Sequence, residues 1–382
     1  MARSIPSPRV IAHAVRRRIQ RMFGKQHDPY ADSPPDLALS PSARHFADYE
    51  TVRPRLRYSG GDWNNVDDWG KAARAKLIEL SGYLRWSSVP ELRHDETFPL
   101  SNELTRRRVY LRSRPGVEIP VHLVGAANSA RPKPVMICLQ GTNTGAHLSW
   151  GEKRFPADAD PKAKSYAFAL QAAERGYLAV AVEQSCFGER RETEIQPRSA
   201  APCVDATMHA ILLGRSLLGE RCADVSAVID WLLSPAMASY VDADRIHIMG
   251  HSSGGSVAMY AAAMDERIGA VMACGCVGFI RDTIGRRRDD QGQNVIPGIL
   301  KWMETPDIIG LVAPRPFVTV AGISDHIWPY SAAEPVIAEA RNIYAQFDSA
   351  DAIALVAAPG GHFFRPEPSW NAFSAALSKQ RQ

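Results

Sequence analysis

Cysteine is scarce in this chain of 382 residues: six are present, at positions 138, 186, 203, 222, 274 and 276, with no repeated spacing. That excludes a disulfide framework of the kind small secreted domains use, and the thiols are expected to be reduced. Long apolar runs are also missing. No stretch approaches the ~20 apolar residues that a membrane-spanning helix needs. Arg16, Arg17 and Arg18 interrupt the only candidate for a leader's apolar region, so no secretory signal is expected. Charge of one sign is not in excess, since the formal net charge is +4 and bases alternate with acids along most of the chain. Nothing in that balance calls for a nucleic-acid partner. Internal repeats and low-complexity tracts are absent as well. A cytoplasmic globular protein without a membrane span is the expectation these absences leave.

With 45% hydrophobic and 23% charged residues the chain can bury a large core. Three regions differ in texture. Residues 1–60 are basic and rich in Pro and Ser, with one amphipathic segment in which Ile11, Val15, Ile19 and Met22 share a helical face. Docking of that face on its own domain or on a second subunit is favoured over an anionic membrane surface, which leaves a homo-oligomer open. Residues 61–99 read as a helical brace, with a helix from Trp63 to about Leu84. From about residue 100 to 382, short apolar runs alternate with helical periods, the pattern of a mostly parallel sheet flanked by helices.

Six runs are apolar enough to be strands covered on both faces: Val135–Leu139, Tyr177–Val182, Arg245–Met249, Gly269–Cys274, Pro316–Ala321 and Ile353–Ala357. A hairpin at Pro115-Gly116 joins two amphipathic strands, Val109–Arg112 and Val117–Val124. Between strands, Val225, Val228, Ile229 and Leu232 mark a helix ended by Ser234-Pro235, and Ala163–Arg175 marks another closed by Gly176. Cys274 and Cys276 are expected to point to one face of a strand as buried structural residues rather than as a metal or redox pair.

The chemistry-bearing signal is Gly250-His251-Ser252-Ser253-Gly254-Gly255, which follows a strand and precedes a helix whose apolar face is Val257, Tyr260, Ala261 and Met264. G-x-S-x-G in that context is a nucleophile elbow: the serine sits on a strained strand-to-helix turn, exposed at the carboxyl edge of the sheet. The competing reading of the same residues is a glycine-rich turn. A serine hydroxyl needs a base. His362, in Pro359-Gly360-Gly361-His362 after the last strand, is the candidate. Asp325, after the strand Pro316–Ala321, is the candidate acid that orients it, in the chain order Ser, Asp, His. His326 is a rival base made poor by adjacency to Asp325, and Asp289 and Asp290 are rival acids in a charged loop read as a solvated face. Oxyanion donors are expected from the backbone N–H of Ser253 and, in the loop Leu139–Gly145, of Thr142.

These residues resemble the α/β-hydrolases that include dienelactone hydrolase-like proteins and the acetyl xylan esterase or cephalosporin C deacetylase group. The similarity spans about residues 100–370. Besides the elbow it rests on Gln140-Gly141, on Glu183–Arg190, on Leu213–Gly219 and on Ala313-Pro314-Arg315-Pro316. Most members have His at the position of Gln140, and true dienelactone hydrolases have Cys at the position of Ser252, which disfavours dienelactone as substrate. The resemblance implies the α/β-hydrolase fold and hydrolysis of a small-molecule carboxylic ester, often an acetyl ester, without metal or organic cofactor. Segment 277–312 is expected to act as a lid over the pocket. A serine peptidase or amidase of the same fold, and a non-catalytic binding protein on that scaffold, are the competing readings.

Overall fold

Alternate residues of each central strand enter opposite sides of one sheet, and that alternation positions everything else. Val135, Ile137 and Leu139 pack into one apolar cluster, while Met136 and Cys138 between them pack into a second on the other face. The computed structural model describes residues 37–380 except 60, 62, 64, 102, 127–130, 160–164, 195–200 and 287–289. Its strands are β1 (Glu91–Pro99), β2 (Leu104–Arg114), β3 (Val117–Ala126), β4 (Lys133–Leu139), β5 (Leu178–Val182), β6 (Val241–His251), β7 (Ala270–Cys274), β8 (Phe317–Gly322) and β9 (Ile353–Ala358). They form a single sheet of order β1-β2-β3-β5-β4-β6-β7-β8-β9. Pairing is antiparallel from β1 through β3 to β5, and parallel from β5 to β9.

All eight strand readings meet a strand in this sheet, with ends shifted by a few residues. β1 is the exception that hydropathy does not reveal. It falls in the stretch assigned to the helical brace, yet it is an edge strand whose residues are mostly exposed. Asp95 and Glu96 pair with Arg107 and Arg108 on β2, so charge rather than apolar alternation holds this edge.

Helices cover both faces. One layer holds α2 (Val66–Ser81), α5 (Leu217–Leu232), α6 (Ser253–Met264), α7 (Thr305–Gly310) and α8 (Tyr330–Ala345), and the other holds α3 (Phe168–Glu174) and α9 (Pro366–Gln380). Helix α4 (Pro202–Leu212) precedes α5. The helix expected from Trp63 begins at Val66, because the Asn65 side chain accepts the Asp67 N–H at 2.7 Å and caps it there. It ends at Gly82, in the left-handed conformation at φ 64°. Trp69, Ala73 and Leu77, four residues apart, are its buried stripe.

The chain divides into two compact units, Met1–Glu50 and Thr51–Gln382. Helix α1 (Pro41–Thr51) lies almost wholly in the first and buries none of its residues. The amphipathic segment from Ile11 to Met22 lies outside the described residues. Among those described, no helix is long and apolar enough to cross a membrane, and no cluster of three His, Cys, Asp or Glu could hold a metal ion.

Cys274 and Cys276 are both buried, but not on one face. Cys274 ends β7 in the α9 layer, whereas Cys276 packs in the α6 layer. Gly275 between them, at φ 59°, breaks the strand's alternation and turns the second thiol to the opposite side.

Candidate active site

Ser252 lies between the end of β6 and the start of α6, at φ 56° and ψ −126°, a left-sided backbone that only a constrained turn holds in a non-glycine residue. The turn is tight enough to exclude side chains around it. A Cβ at Gly250 would stand 2.3 Å from the Gly254 carbonyl oxygen, and one at Gly254 would stand 2.3 Å from that of Leu139. The Ser252 N–H donates to the Cys274 carbonyl at 2.9 Å, which ties the elbow to β7.

Across the carboxyl edge of the sheet, His362 Nε2 lies 2.9 Å from Ser252 Oγ, and His362 Nδ1 lies 2.7 Å from Asp325 Oδ2. The tautomer follows from what each partner can do. A carboxylate only accepts, so Nδ1 carries the proton and Nε2 turns its lone pair to the serine hydroxyl. Asp325 is buried, and its other oxygen accepts the N–H groups of Ile327 at 2.8 Å and Trp328 at 3.1 Å. Burial works to raise the Asp325 carboxyl, but the hydrogen bond and charge of His362 and the two backbone donors outweigh it. The net shift is downward, so the group stays ionised.

Two loops hold these side chains. The Ser324 N–H donates to the Gly360 carbonyl at 3.1 Å, joining the acid's loop to the histidine's. Arg365, itself buried, donates to the carbonyls of Pro359, Gly361 and Phe363 at 2.7–2.9 Å and so fixes the turn that presents His362. His251 stacks beside His362 with ring centroids 4.7 Å apart. Burial, and then the charge on His362, push its imidazole well below the ordinary value, so it stays neutral and does not compete for the proton.

His326 is exposed and its ring meets that of His362 edge-on at 6.1 Å; His362, not His326, contacts the serine. Asp290 is buried rather than solvated, and it caps a turn through the Asn294 N–H and side-chain amide at 3.2 and 2.8 Å. Asp289 lies outside the described residues. The loop after β4 runs against the elbow: a Cβ at Gly141 would come within 2.8 Å of the His251 carbonyl oxygen and 3.2 Å of Ser252 Cβ. Thr142 therefore adjoins the nucleophilic turn, and neither its N–H nor that of Ser253 has a partner among the described residues.

A sequence model of the Abhydrolase family matches residues 64–342, well over half of the chain. This chain belongs to the Abhydrolase family. "Putative hydrolase YtaP" of Bacillus subtilis (strain 168) is 28% identical to this family member over 205 residues, 52% of the chain and 64% of the relative. "Uncharacterized protein PA2218" of Pseudomonas aeruginosa is 26% identical over 47% of the chain and 38% of the relative. The chain thus spans less than two thirds of the length of either.

Among solved structures, a putative acetyl xylan esterase from Bacteroides fragilis NCTC 9343 superposes with a TM-score of 0.66 at 21% identity, covering 84% of this chain and 82% of the other. A glucuronoyl esterase from Solibacter usitatus gives 0.61 at 16% identity, with 87% and 98% covered. A CE15 glucuronoyl esterase from Teredinibacter turnerae T7901 gives 0.61 at 19% identity, with 92% and 94% covered. These likenesses establish the α/β-hydrolase fold for this Abhydrolase family member.

Sequence reasoning did not find Arg221, Gln293 or Arg365. Arg221 carried a readable signal, because it falls four residues after Leu217 and four before Val225 on the apolar stripe of α5, where a charge needs a reason. Ser253 was expected to contribute only its backbone; its hydroxyl is also used, bonded to Gln293 and Arg221.

Proposed function

We propose that the protein is a serine hydrolase that cleaves carboxylic esters through an acyl-enzyme, with Ser252 as nucleophile, His362 as general base and Asp325 as the acid that orients it. The observation that carries the reading is the continuous contact from Asp325 Oδ2 through the imidazole to Ser252 Oγ, at 2.7 and 2.9 Å. As Oγ bonds to the ester carbonyl carbon, Nε2 takes the hydroxyl proton, and the carbonyl electron pair becomes an oxyanion facing the N–H groups of Ser253 and Thr142. Collapse breaks the bond to the alkoxide, which leaves with the proton from Nε2. Water, deprotonated by the same nitrogen, then releases the acid.

The names of similar structures, an acetyl xylan esterase and glucuronoyl esterases, make esters of carbohydrates, and short acyl esters first, the substrate class to test. Free thiols at all six cysteines support a reducing compartment such as the cytoplasm. A fluorophosphonate probe tests the centre: it labels wild type and leaves Ser252→Ala unlabelled, and equal labelling of the two defeats the assignment. An ester panel that varies acyl and alcohol parts separately then defines the substrate.

A further inference from the structure

Behind the elbow lies a buried polar chain that the reaction steps above do not use. Arg221 is 1% exposed and, among the described residues, has no carboxylate partner. Its guanidinium donates to the Ser185 carbonyl at 2.7 Å, to Ser253 Oγ at 3.1 Å and to Gln293 Oε1 at 3.0 Å, and it touches Cys203 Sγ at 3.3 Å. Gln293, from the segment between β7 and α7, is 3% exposed. Its Oε1 also accepts the Ser253 hydroxyl at 2.9 Å, and its Nε2 donates to Thr142 Oγ1 at 2.8 Å. The amide cannot be turned round. A guanidinium offers only donors, so the amide oxygen must face Arg221 and the nitrogen is sent to Thr142.

The two residues so linked, Ser253 on α6 and Thr142 on the loop after β4, are the two whose N–H groups the proposed reaction needs at one oxyanion. They come from elements 111 positions apart, and their spacing has to match one oxygen atom. We propose that Gln293, oriented by Arg221, is a positioning residue that clamps the two oxyanion donors at their working separation. This rests on the serine-hydrolase reading and adds to it a role for the segment between β7 and α7. A buried cation without a counter-charge is costly. Here it polarises a hydroxyl and an amide whose other ends hold the donors, which gives the charge a use in a water-poor place.

The test compares 4-nitrophenyl acetate with its thionoacetate analogue. A thiocarbonyl sulfur is a poor hydrogen-bond acceptor, so the clamp matters for the oxygen ester and hardly for the sulfur one. In Gln293→Leu, kcat on the oxygen ester falls about 10- to 100-fold while KM stays within about threefold, since misplacement by a fraction of an ångström is enough. The oxygen-to-sulfur rate ratio falls by about tenfold or more, as expected for lost oxyanion stabilisation. Thr142→Val keeps the backbone N–H at an exposed, isosteric site, so it folds even if the first variant does not, and it lowers the same ratio by a smaller factor.

Equal losses on both esters, or an unchanged ratio in Thr142→Val, would overturn the clamp and leave a merely structural role. Ser252→Ala is run beside them. Activity surviving in that variant overturns the serine reading itself, whereas an inactive Ser252→Ala with an unchanged Gln293→Leu overturns only the clamp.

Discussion

Replacing Asp325 by Asn tests the site most sharply, because the structure dictates which way the new amide faces. Oδ1 of Asp325 accepts two backbone N–H groups, from Ile327 and Trp328, while Oδ2 accepts His362 Nδ1–H. An asparagine keeps its single carbonyl oxygen on the two backbone donors, since leaving them unpaired in a buried turn costs about 1–3 kcal/mol each. Its NH2 is then aimed at His362 Nδ1. That nitrogen must become the acceptor, the proton moves to Nε2, and the lone pair that faced Ser252 Oγ is gone. The hydroxyl loses its base although no atom has moved far.

A fall in kcat/KM of about 10⁴ is the size of this effect where the same three groups act together. It corresponds to about 5 kcal/mol of transition-state stabilisation. The assay is 4-nitrophenyl acetate hydrolysis at neutral pH, with circular dichroism and thermal melting to show that the fold persists. A folded Asp325→Asn enzyme within tenfold of wild type would refute the reasoning and remove Asp325 from the site.

Two further outcomes follow from other parts of the structure. Burial, opposed by the N–H groups of Ala146 and Glu189, pushes the Glu183 carboxyl up to about 7. The folded state therefore binds its proton more tightly than the unfolded one, and this group's stability contribution is present at low pH and lost as pH rises from about 4.5 to about 7. Glu183→Gln should remove that loss, gaining on wild type by at most about 3 kcal/mol between pH 4.5 and 8 in chemical denaturation; parallel stability curves would contradict it. Gly250→Ala should lose fluorophosphonate labelling and about 1–3 kcal/mol of stability, because its Cβ meets the Gly254 carbonyl inside the elbow. Full labelling of that variant would show that the turn is not as constrained as its geometry implies.

Local chemistry made much of this protein readable in one dimension. The central strands β4, β5, β7 and β8 and the second half of β6 are apolar because helices cover both faces, and a strand buried on both sides has to look like Val135–Leu139, while the edge strand β9 is only half-buried. Ser252 stands out as a candidate because a strained turn admits few residue types around it, and Asp325 and His362 are candidates by their place after strands. β1 escaped notice for the opposite physical reason: an exposed edge held by Arg–Asp and Arg–Glu pairs has no hydrophobic rhythm to betray it. Gly275 likewise defeated the two-residue period by a single backbone rotation, placing Cys276 in the other layer.

What only the folded chain decides is which polar residues meet. The sequence determines that a strand, a sharp turn and a helix present a serine, since those depend on neighbours within a few positions. Nothing local joins Arg221 and Gln293 to Ser253 and Thr142, or makes Arg365 the anchor of the histidine's loop. Such contacts cross wide gaps in the chain, and a lone Gln in a loop carries no pattern. Hydrogen bonds between distant polar groups exist only after burial has brought them together, so their partners are set by the packing of whole elements.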